Sequence, residues 1–340
     1  MSSSMPQITR SVILEQLPKR TLSENNFSLQ TTALGPIGSG EILIRVEYLV
    51  LDAAARTWMQ GRTYRGQISP GELMPGGGIG TVIQSENEDI EVGDVVYGET
   101  GWREFAVGPA ENFRALDSEI SVLDQVNVFG YAGLTAYFGL LTHGCPNPGE
   151  TVVVSAAAGA VGSLVGQIAK IKGCRVIGIA GSDKKCALLR NELGFEGTIN
   201  YKTDDIKRRL DELAPSGIDV YFDNVAGSTL EICLSRMAMN GRIVCCGAIS
   251  QYDGQSPITG PRGVPGQLIS KRLSMSGFIV FDHLSESDIA LQNLEAWVAS
   301  GDLKVFQTVV TGLENSPKAL VGLLSGQNVG KFFVRIEHDA

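Results

Sequence analysis

The residues best suited to chemistry begin with a short run of small ones. Ser155-Ala156-Ala157-Ala158-Gly159-Ala160-Val161-Gly162 follows a β-branched run, Thr151–Ser155. After it comes a helical pattern in which Val161, Val165, Ile168 and Lys172 mark successive turns, with Leu164 and Ile171 beside the stripe. Gly159 and Gly162 fill the second and third glycine positions of a dinucleotide-binding turn, and Ala157 stands at the first. Gly159 lets a pyrophosphate approach the backbone. Gly162 lets the helix pack against the strand. Ala160 and Val161 open that helix, whose N-terminal N–H groups and dipole favour an anion. The other reading of the run is a tight strand-to-helix crossover with no ligand.

The next strand, Arg175–Ala180, ends in Ala180-Gly181-Ser182. An acidic residue there would hold a ribose 2′-hydroxyl and mark NAD. Small residues leave room for a 2′-phosphate, and Lys184 and Lys185 follow at once to supply charge. Asp183 is expected as a helix N-cap, its carboxylate turned to backbone N–H groups. Tyr201, after the third strand, could reach the same phosphate. The pattern points to NADPH, the competing reading being a solvated helix face.

Metal chemistry is not expected. No cysteine precedes Cys145, and His143, His283 and His338 are the chain's three histidines, too few for the Cys and His ligands of a zinc alcohol dehydrogenase. A metal-free site can still reduce an activated C=C bond, because a conjugated carbonyl polarises the alkene and hydrogen-bond donors can hold the enolate. Gly76-Gly77-Gly78-Ile79-Gly80 has no strand–helix frame and reads as a β-turn or bulge. The six cysteines form no Cys-x-x-Cys pair and read as buried, reduced thiols, with a redox or metal role as the alternative. Cys245 and Cys246 should point to opposite faces of a strand.

These residues need a scaffold. Over the first ~125 residues, Ile42–Val46, Val92–Gly98 and Trp102–Val107 are strand candidates between glycine turns, the texture of an all-β barrel or meander. From Thr151 onward strands alternate with helices: Arg175–Ala180, Thr198–Tyr201, Ile218–Asp223, Arg242–Gly247 and Ser274–Val280 would be strands two to six, and Lys184–Leu193 a helix. Such alternation predicts an α/β fold with a doubly wound parallel sheet. Ser250–Gln267, dense in glycine and proline, reads as a long loop, either over the cofactor or a plain surface excursion. Of 340 residues 43% are hydrophobic, 19% are charged and 41 are glycine, and the net charge is −9. That is a globular composition of about two domains, with no basic footprint for nucleic acid. The N-terminal residues lack the apolar core of a signal peptide, and no apolar run is long enough to span a membrane, so a cytoplasmic protein is expected.

The chain resembles the zinc-free medium-chain dehydrogenases/reductases, within them the prostaglandin reductase, alkenal double-bond reductase and bacterial curcumin reductase group. The resemblance rests on Gly133-Leu134-Thr135-Ala136-Tyr137-Phe138-Gly139-Leu140-Leu141, the Val154–Gly162 turn, Gly173-Cys174-Arg175-Val176 and Tyr221-Phe222-Asp223-Asn224-Val225. It also rests on Cys246-Gly247-Ala248-Ile249-Ser250-Gln251-Tyr252, Gly277-Phe278-Ile279-Val280 and Asn328-Val329-Gly330-Lys331. It implies a GroES-like β-barrel catalytic domain over residues 1–127, a Rossmann NADPH-binding domain over 128–302, and a return of 303–340 to the first.

By the resemblance, Lys185 and Tyr201 meet the 2′-phosphate beside Gly181 and Ser182. Thr135, Asn224, Gly247, Ile249 and Asn328 belong to the cofactor site. Phe278, Ile279 and Val280 line the nicotinamide with backbone. Tyr252 lies near the nicotinamide ribose and the substrate carbonyl, and Tyr64 sits where some members place a substrate-contacting tyrosine. Two departures flank the expected pocket: Ala53-Ala54-Ala55-Arg56 where the family has Pro-Tyr-Met-Arg, and Tyr131-Ala132 where it has Met-Pro. The implied reaction is hydride transfer from NADPH to the β-carbon of an enone or enal. Tyr252 would hold the enolate oxygen, and water or Tyr252 would protonate the α-carbon. Quinone reduction and non-catalytic NADPH binding are the rivals. The family also implies a homodimer, paired through an edge strand at Phe278-Ile279-Val280.

Overall fold

The computed structural model describes residues 5–61, 63, 65–253 and 260–338. The chain divides into two compact units: Met1–Gln125 with Thr308–Asn328 and Phe332–Ala340, and Val126–Gln307 with Val329–Lys331.

The first unit is built on antiparallel strands. β1 (Ile8–Leu14) pairs with β2 (Phe27–Ala33). β3 (Glu41–Leu51), β4 (Gly77–Ser85), β5 (Val95–Glu99), β6 (Phe105–Pro109) and β7 (Phe113–Ala115) form a seven-stranded sheet with Gln307–Thr311 and Lys331–Arg335. Its central strand, β3, pairs with β4, β6 and Lys331–Arg335. The core holds Ile42, Ile44, Val46, Leu49, Met74, Trp102 and Phe332.

Gly77–Gly80 lie inside β4, so of the turn or bulge expected at Gly76–Gly80 the turn is corrected to strand. The irregularity falls on the facing strand, where pairing shifts between Val46 and Tyr48. β5 starts at Val95 because Gly93, at φ 103°, still belongs to the preceding turn. β6 starts at Phe105 because the Trp102 N–H donates to the Met74 carbonyl and its indole is buried.

In the second unit Val152, Val153 and Val154 are wholly buried and alternate between two cores, the first and third facing one side of the sheet and the second the other. β8 (Thr151–Val154), β9 (Arg175–Ala180), β10 (Gly197–Asn200), β11 (Ile218–Asp223), β12 (Met237–Cys245) and β13 (Ser274–Gly277) are parallel, in the order β10-β9-β8-β11-β12-β13. The order reverses between β8 and β11, and in such sheets ligands bind at that switch point, outside the strands' carboxyl ends. The helix Ala160–Ile171 crosses from β8 to β9, and Gly173, at φ 80°, lets the chain leave it.

Several strand ends are corrected. Ser155 leaves β8 and turns its hydroxyl to Asp223. β12 stops at Cys245, and Tyr201 lies past β10. β13 stops at Gly277, and Val280 opens a 3₁₀ segment, Val280–Glu286. The expected loop Ser250–Gln267 is in part helical: Ile249–Tyr252 forms one turn, and Val264–Lys271 is a helix with Pro265 in its first turn, where the lost N–H costs nothing. Residues 254–259 of it lie outside the described residues. Cys145 is exposed rather than buried, at φ 43° after the wide helical turn Gly139–Gly144. Cys245 and Cys246 do face opposite cores. Among the described residues no helix is long and apolar enough to cross a membrane.

Candidate functional site

The carboxyl ends of β8, β9, β11 and β12 gather most of the expected residues in the second unit. After β8 the chain passes through Ala156 at φ 49°, a left-handed conformation unusual for alanine. The glycine pattern is thus displaced: Ala157 is buried and donates to the Ile179 carbonyl, and its neighbour bears the strain. The Gly159 N–H donates to the Ala156 carbonyl at 2.9 Å. A Cβ at Gly162 would overlap that same carbonyl, so glycine is required where helix meets strand. A Cβ at Gly159 would meet nothing closer than 3.2 Å, which leaves its outer side open. Ser163 is the first residue to bond back into the helix, onto Gly159, so the N–H groups of Ala160, Val161 and Gly162 have no intrahelical acceptor.

At the end of β9 the N-cap is Ser182, whose hydroxyl oxygen accepts from the Lys185 N–H at 3.3 Å. Asp183 is therefore not the cap. It is the first helical residue, and its carboxylate accepts from the Asn200 side-chain amide at 2.8 Å, which draws it toward β10. Tyr201 closes over Gly181, where a Cβ would sit 2.9 Å from its ring. The Lys202 ammonium lies 5.9 Å from the same ring. Burial, and then the Lys202 charge, push Lys185 below the ordinary lysine range. Two cations that disfavour each other beside an open backbone turn are what a doubly charged anion would relieve.

At β11 and β12, Gly247 donates to the Asp223 carbonyl at 3.1 Å and Ile249 to the Asn224 carbonyl at 3.2 Å, so the two loops run together. The Asn224 side-chain amide donates to the Ser155 carbonyl at 2.8 Å. The Tyr252 phenol oxygen accepts from the Ala248 N–H at 3.2 Å. That polarisation strengthens the hydroxyl as a donor. Phe278 stacks on His143 with centroids 4.9 Å apart, and Val280 packs with Leu134 and Phe138. Both side chains thus turn into cores, and Ile279 is exposed. Thr135 is half-buried on the helix Tyr131–Phe138. Asn328 is buried and belongs to the first unit. Tyr64 lies outside the described residues.

Sequence reasoning missed two devices. Gly330, at φ 65°, donates to the Ala158 carbonyl at 2.9 Å and pairs with Gly159, so a C-terminal segment braces the turn. A Cβ there would overlap the Phe306 carbonyl, and the isolated glycine in Asn328–Lys331 was its one signal. Asp223 is 1% exposed, and its Oδ1 accepts from Ser155 Oγ, the Tyr221 hydroxyl and the N–H groups of Val225 and Ala226. A carboxylate ending an apolar strand was its signal.

Three of the cysteines are held as protonated thiols by their surroundings. Burial pushes the Cys174 and Cys245 thiols up to about 11 and Cys246 to about 12. The described residues include every cysteine and histidine, and among them no three His, Cys, Asp or Glu side chains gather as a metal would need. His143 and His283 meet Nε2 to Nε2 at 3.1 Å with centroids 5.3 Å apart, which is head-on and leaves no shared point for an ion. These donors do not fit zinc.

A model described as an N-terminal domain of oxidoreductase matches residues 10–116, and one described as zinc-binding dehydrogenase matches residues 160–296. The chain is 40% identical over 341 residues to a putative NADP-dependent oxidoreductase of Bacillus subtilis, covering 99% of each. It is 39% identical to prostaglandin reductase 1 of Bos taurus, covering 92% of this chain and 94% of that one. The structure superposes on that of CurA in complex with NADPH from Vibrio vulnificus with a TM-score of 0.92 at 38% identity, covering 97% of this chain and 100% of the other. With full-length likeness on the parallel sheet, the antiparallel sheet and the turn between β8 and its helix, the chain belongs to the medium-chain dehydrogenase/reductase family, in the group of the prostaglandin, 2-alkenal and curcumin reductases.

Proposed function

We infer that this protein is an NADPH-dependent reductase of the C=C bond of α,β-unsaturated carbonyl compounds, acting without zinc. The observation that carries the reading is the pair of Lys185 and Lys202 beside Tyr201 and Gly181, at the end of the strand next to the open Gly159 turn. It offers a 2′-phosphate a cationic seat and a pyrophosphate a helix N-terminus. Prostaglandin reductase 1 and the NADPH-dependent curcumin reductase of Escherichia coli, relatives over nearly the whole chain, support the substrate class.

When bound, NADPH supplies the hydride for the β-carbon. Lys185, Ser182, Gly181 and Tyr201 hold its phosphorylated ribose. The N–H groups at Ala160, Val161 and Gly162 meet the pyrophosphate across Ala157 and Gly159. Asn224, Gly247, Ile249 and Thr135 belong to the same seat, with the backbone of Phe278, Ile279 and Val280 along the nicotinamide. Tyr252, its oxygen engaged by the Ala248 N–H, donates its hydroxyl hydrogen to the enolate oxygen. A donor of this kind is worth about 2–4 kcal/mol in the transition state. The α-carbon takes its proton from water or Tyr252. No step needs a metal: the carbonyl conjugated to the alkene already makes the β-carbon electrophilic.

The test is loss of NADPH absorbance with a panel of enones, enals and quinones, with product analysis. Saturated ketone or aldehyde is expected. Hydroquinone alone would mean quinone reduction, and tight NADPH binding with no turnover a binding protein. Tyr252→Phe should lower kcat by about 30–1000-fold with NADPH affinity nearly intact. Unchanged turnover removes Tyr252 from the mechanism. Two further proposals follow. The chain pairs with a second copy along the outer edge of β13, with Ile279 and Phe281 exposed just beyond the strand's end, and sedimentation reading only monomer ends that idea. It works in the cytoplasm, where its six free cysteines stay reduced; fractionation to another compartment refutes this.

A further inference from the structure

We propose that Asp223 is a positioning residue for the cofactor, holding the two loops that flank the switch point between β8 and β11 in their strained shapes; this rests on that switch point being the NADPH seat.

Two non-glycine residues with positive φ stand at this crevice, one on each side. Ala156, at φ 49°, follows β8, and Ala226, at φ 61° and ψ −154°, follows β11. The second conformation is one that glycine adopts almost alone, and alanine persists in it only if its surroundings hold it. The Asp223 carboxylate supplies the hold. Its Oδ1 lies 3.0 Å from the Val225 nitrogen and 3.0 Å from the Ala226 nitrogen, and accepts from both.

The same oxygen reaches across to the other loop. Ser155 Oγ donates to it at 3.1 Å and in turn accepts the Asn224 N–H at 2.9 Å. The Asn224 amide then donates to the Ser155 carbonyl, one bond before Ala156. The Tyr221 hydroxyl completes the set at 2.8 Å. Burial holds that phenol well above its ordinary range, so it stays protonated as a donor. One buried acceptor thus ties both strained turns to a common point beneath the seat. Its side chain, 1% exposed, is walled from solvent, so it acts through these loops rather than on substrate.

The consequence is a preset cradle. The β8 loop carries the backbone that meets the pyrophosphate, and the β11 loop carries Asn224 and leads to Ala248 and Tyr252 through bonds from Ile249 and Ser250. Releasing Asp223 should loosen the middle and nicotinamide end of the seat and spare the adenosine end at Lys185 and Tyr201, which Asp223 does not touch. Ala226→Gly removes the strain that the carboxylate has to restrain.

The experiment compares two probes, NADPH and adenosine 2′-monophosphate, which lacks the 5′-phosphate and so reaches only the adenosine end, by calorimetry on the full chain. Asp223→Asn should weaken NADPH about tenfold or more and change the monophosphate less than about twofold. Adding Ala226→Gly should recover at least about threefold of the NADPH loss. Ser155→Ala, a milder cut in the same strap, should shift NADPH in the same direction by a smaller factor and serves if Asp223→Asn does not fold. Equal losses for both probes would mean a merely structural role and overturn the inference, as would unchanged NADPH affinity in both variants. A wild-type chain that binds neither probe overturns the reading of the seat itself.

Discussion

Two glycine-rich segments of this chain look alike as strings and do opposite work. At Gly76–Gly80 each missing side chain is filled from within: the Trp102 indole lies 2.7 Å from where a Cβ at Gly76 would be and the Tyr97 hydroxyl 2.8 Å from one at Gly77, while Cβ atoms at Gly78 and Gly80 would overlap Thr100 and the Arg45 carbonyl. At Gly159 the space stays open, bounded by one carbonyl at 3.2 Å. Glycine in the first case admits protein, and in the second leaves room for something that is not protein. The flanking elements decide which. A strand and a helix meeting at Gly159 present N–H groups outward, whereas β4 between β3 and β5 spends its own on ladder bonds.

The largest expected effect sets the two against each other. Gly159→Val should abolish measurable NADPH binding, a loss of about a hundredfold or more, far out of proportion to any fall in Tm, since its side chain enters ligand space and meets one backbone carbonyl. Gly80→Ala should do the reverse, costing about 1–3 kcal/mol of stability through overpacking while the surviving folded protein keeps its NADPH affinity. Calorimetric titration beside thermal melts reads both. If Gly159→Val destabilises and leaves binding intact, the contrast between the segments is void.

The next effect is on cofactor choice. Lys185→Ala should weaken NADPH by about 10–100-fold and leave NADH unchanged, because only the 2′-phosphate uses that charge. The pH dependence has a definite sign. Lys185 is pushed down by burial and Lys202, so free enzyme loses its charge at lower pH than an ordinary lysine would. NADPH affinity should therefore fall as pH rises through that depressed value, and NADH affinity should not. Parallel profiles for the two nucleotides would detach Lys185 from the phosphate.

The same contrast explains what was legible beforehand. β9 and β11 could be read to the residue because buried parallel strands are continuous apolar runs, and hydrophobicity is a local property. The strand ends at Ser155, Cys246 and Phe278 were misread because composition continues apolar past the last ladder bond, and only tertiary partners stop the strand: Asp223 for Ser155, and the His143 ring for Phe278. Asp favours a cap position, so sequence alone points to Asp183, but Asn200, seventeen residues on, claims its carboxylate and leaves Ser182 to cap. The strand–turn–helix frame around Gly159 was legible as a pattern. Asp223 and Gly330 were not, since their partners come from β8, the Val225–Ala226 turn and the far end of the chain.

The smallest expected effect asks whether acid loosens the unit that holds the nucleotide turn. Both histidines of its head-on pair pack against phenylalanines, His143 on Phe278 and His283 on Phe138 at 4.8 Å. Burial first, and then the neighbouring His283, lower His143 below its ordinary 6.5. The unfolded chain therefore takes up this proton more readily than the folded one. The stabilising contribution is fully present above pH 6.5 and is lost as pH falls through the depressed folded value. Thermal melts between about pH 5 and 8 should show Tm falling on the acid side, with His143→Phe flattening that fall by about 1–2 °C. Phenylalanine keeps the stack on Phe278 and removes the titration together with the His283 contact, so the slope of the acid limb rather than the absolute Tm is the readout. An acid limb identical in wild type and variant would show that the pair carries no proton linkage, and that acid sensitivity arises elsewhere in the chain.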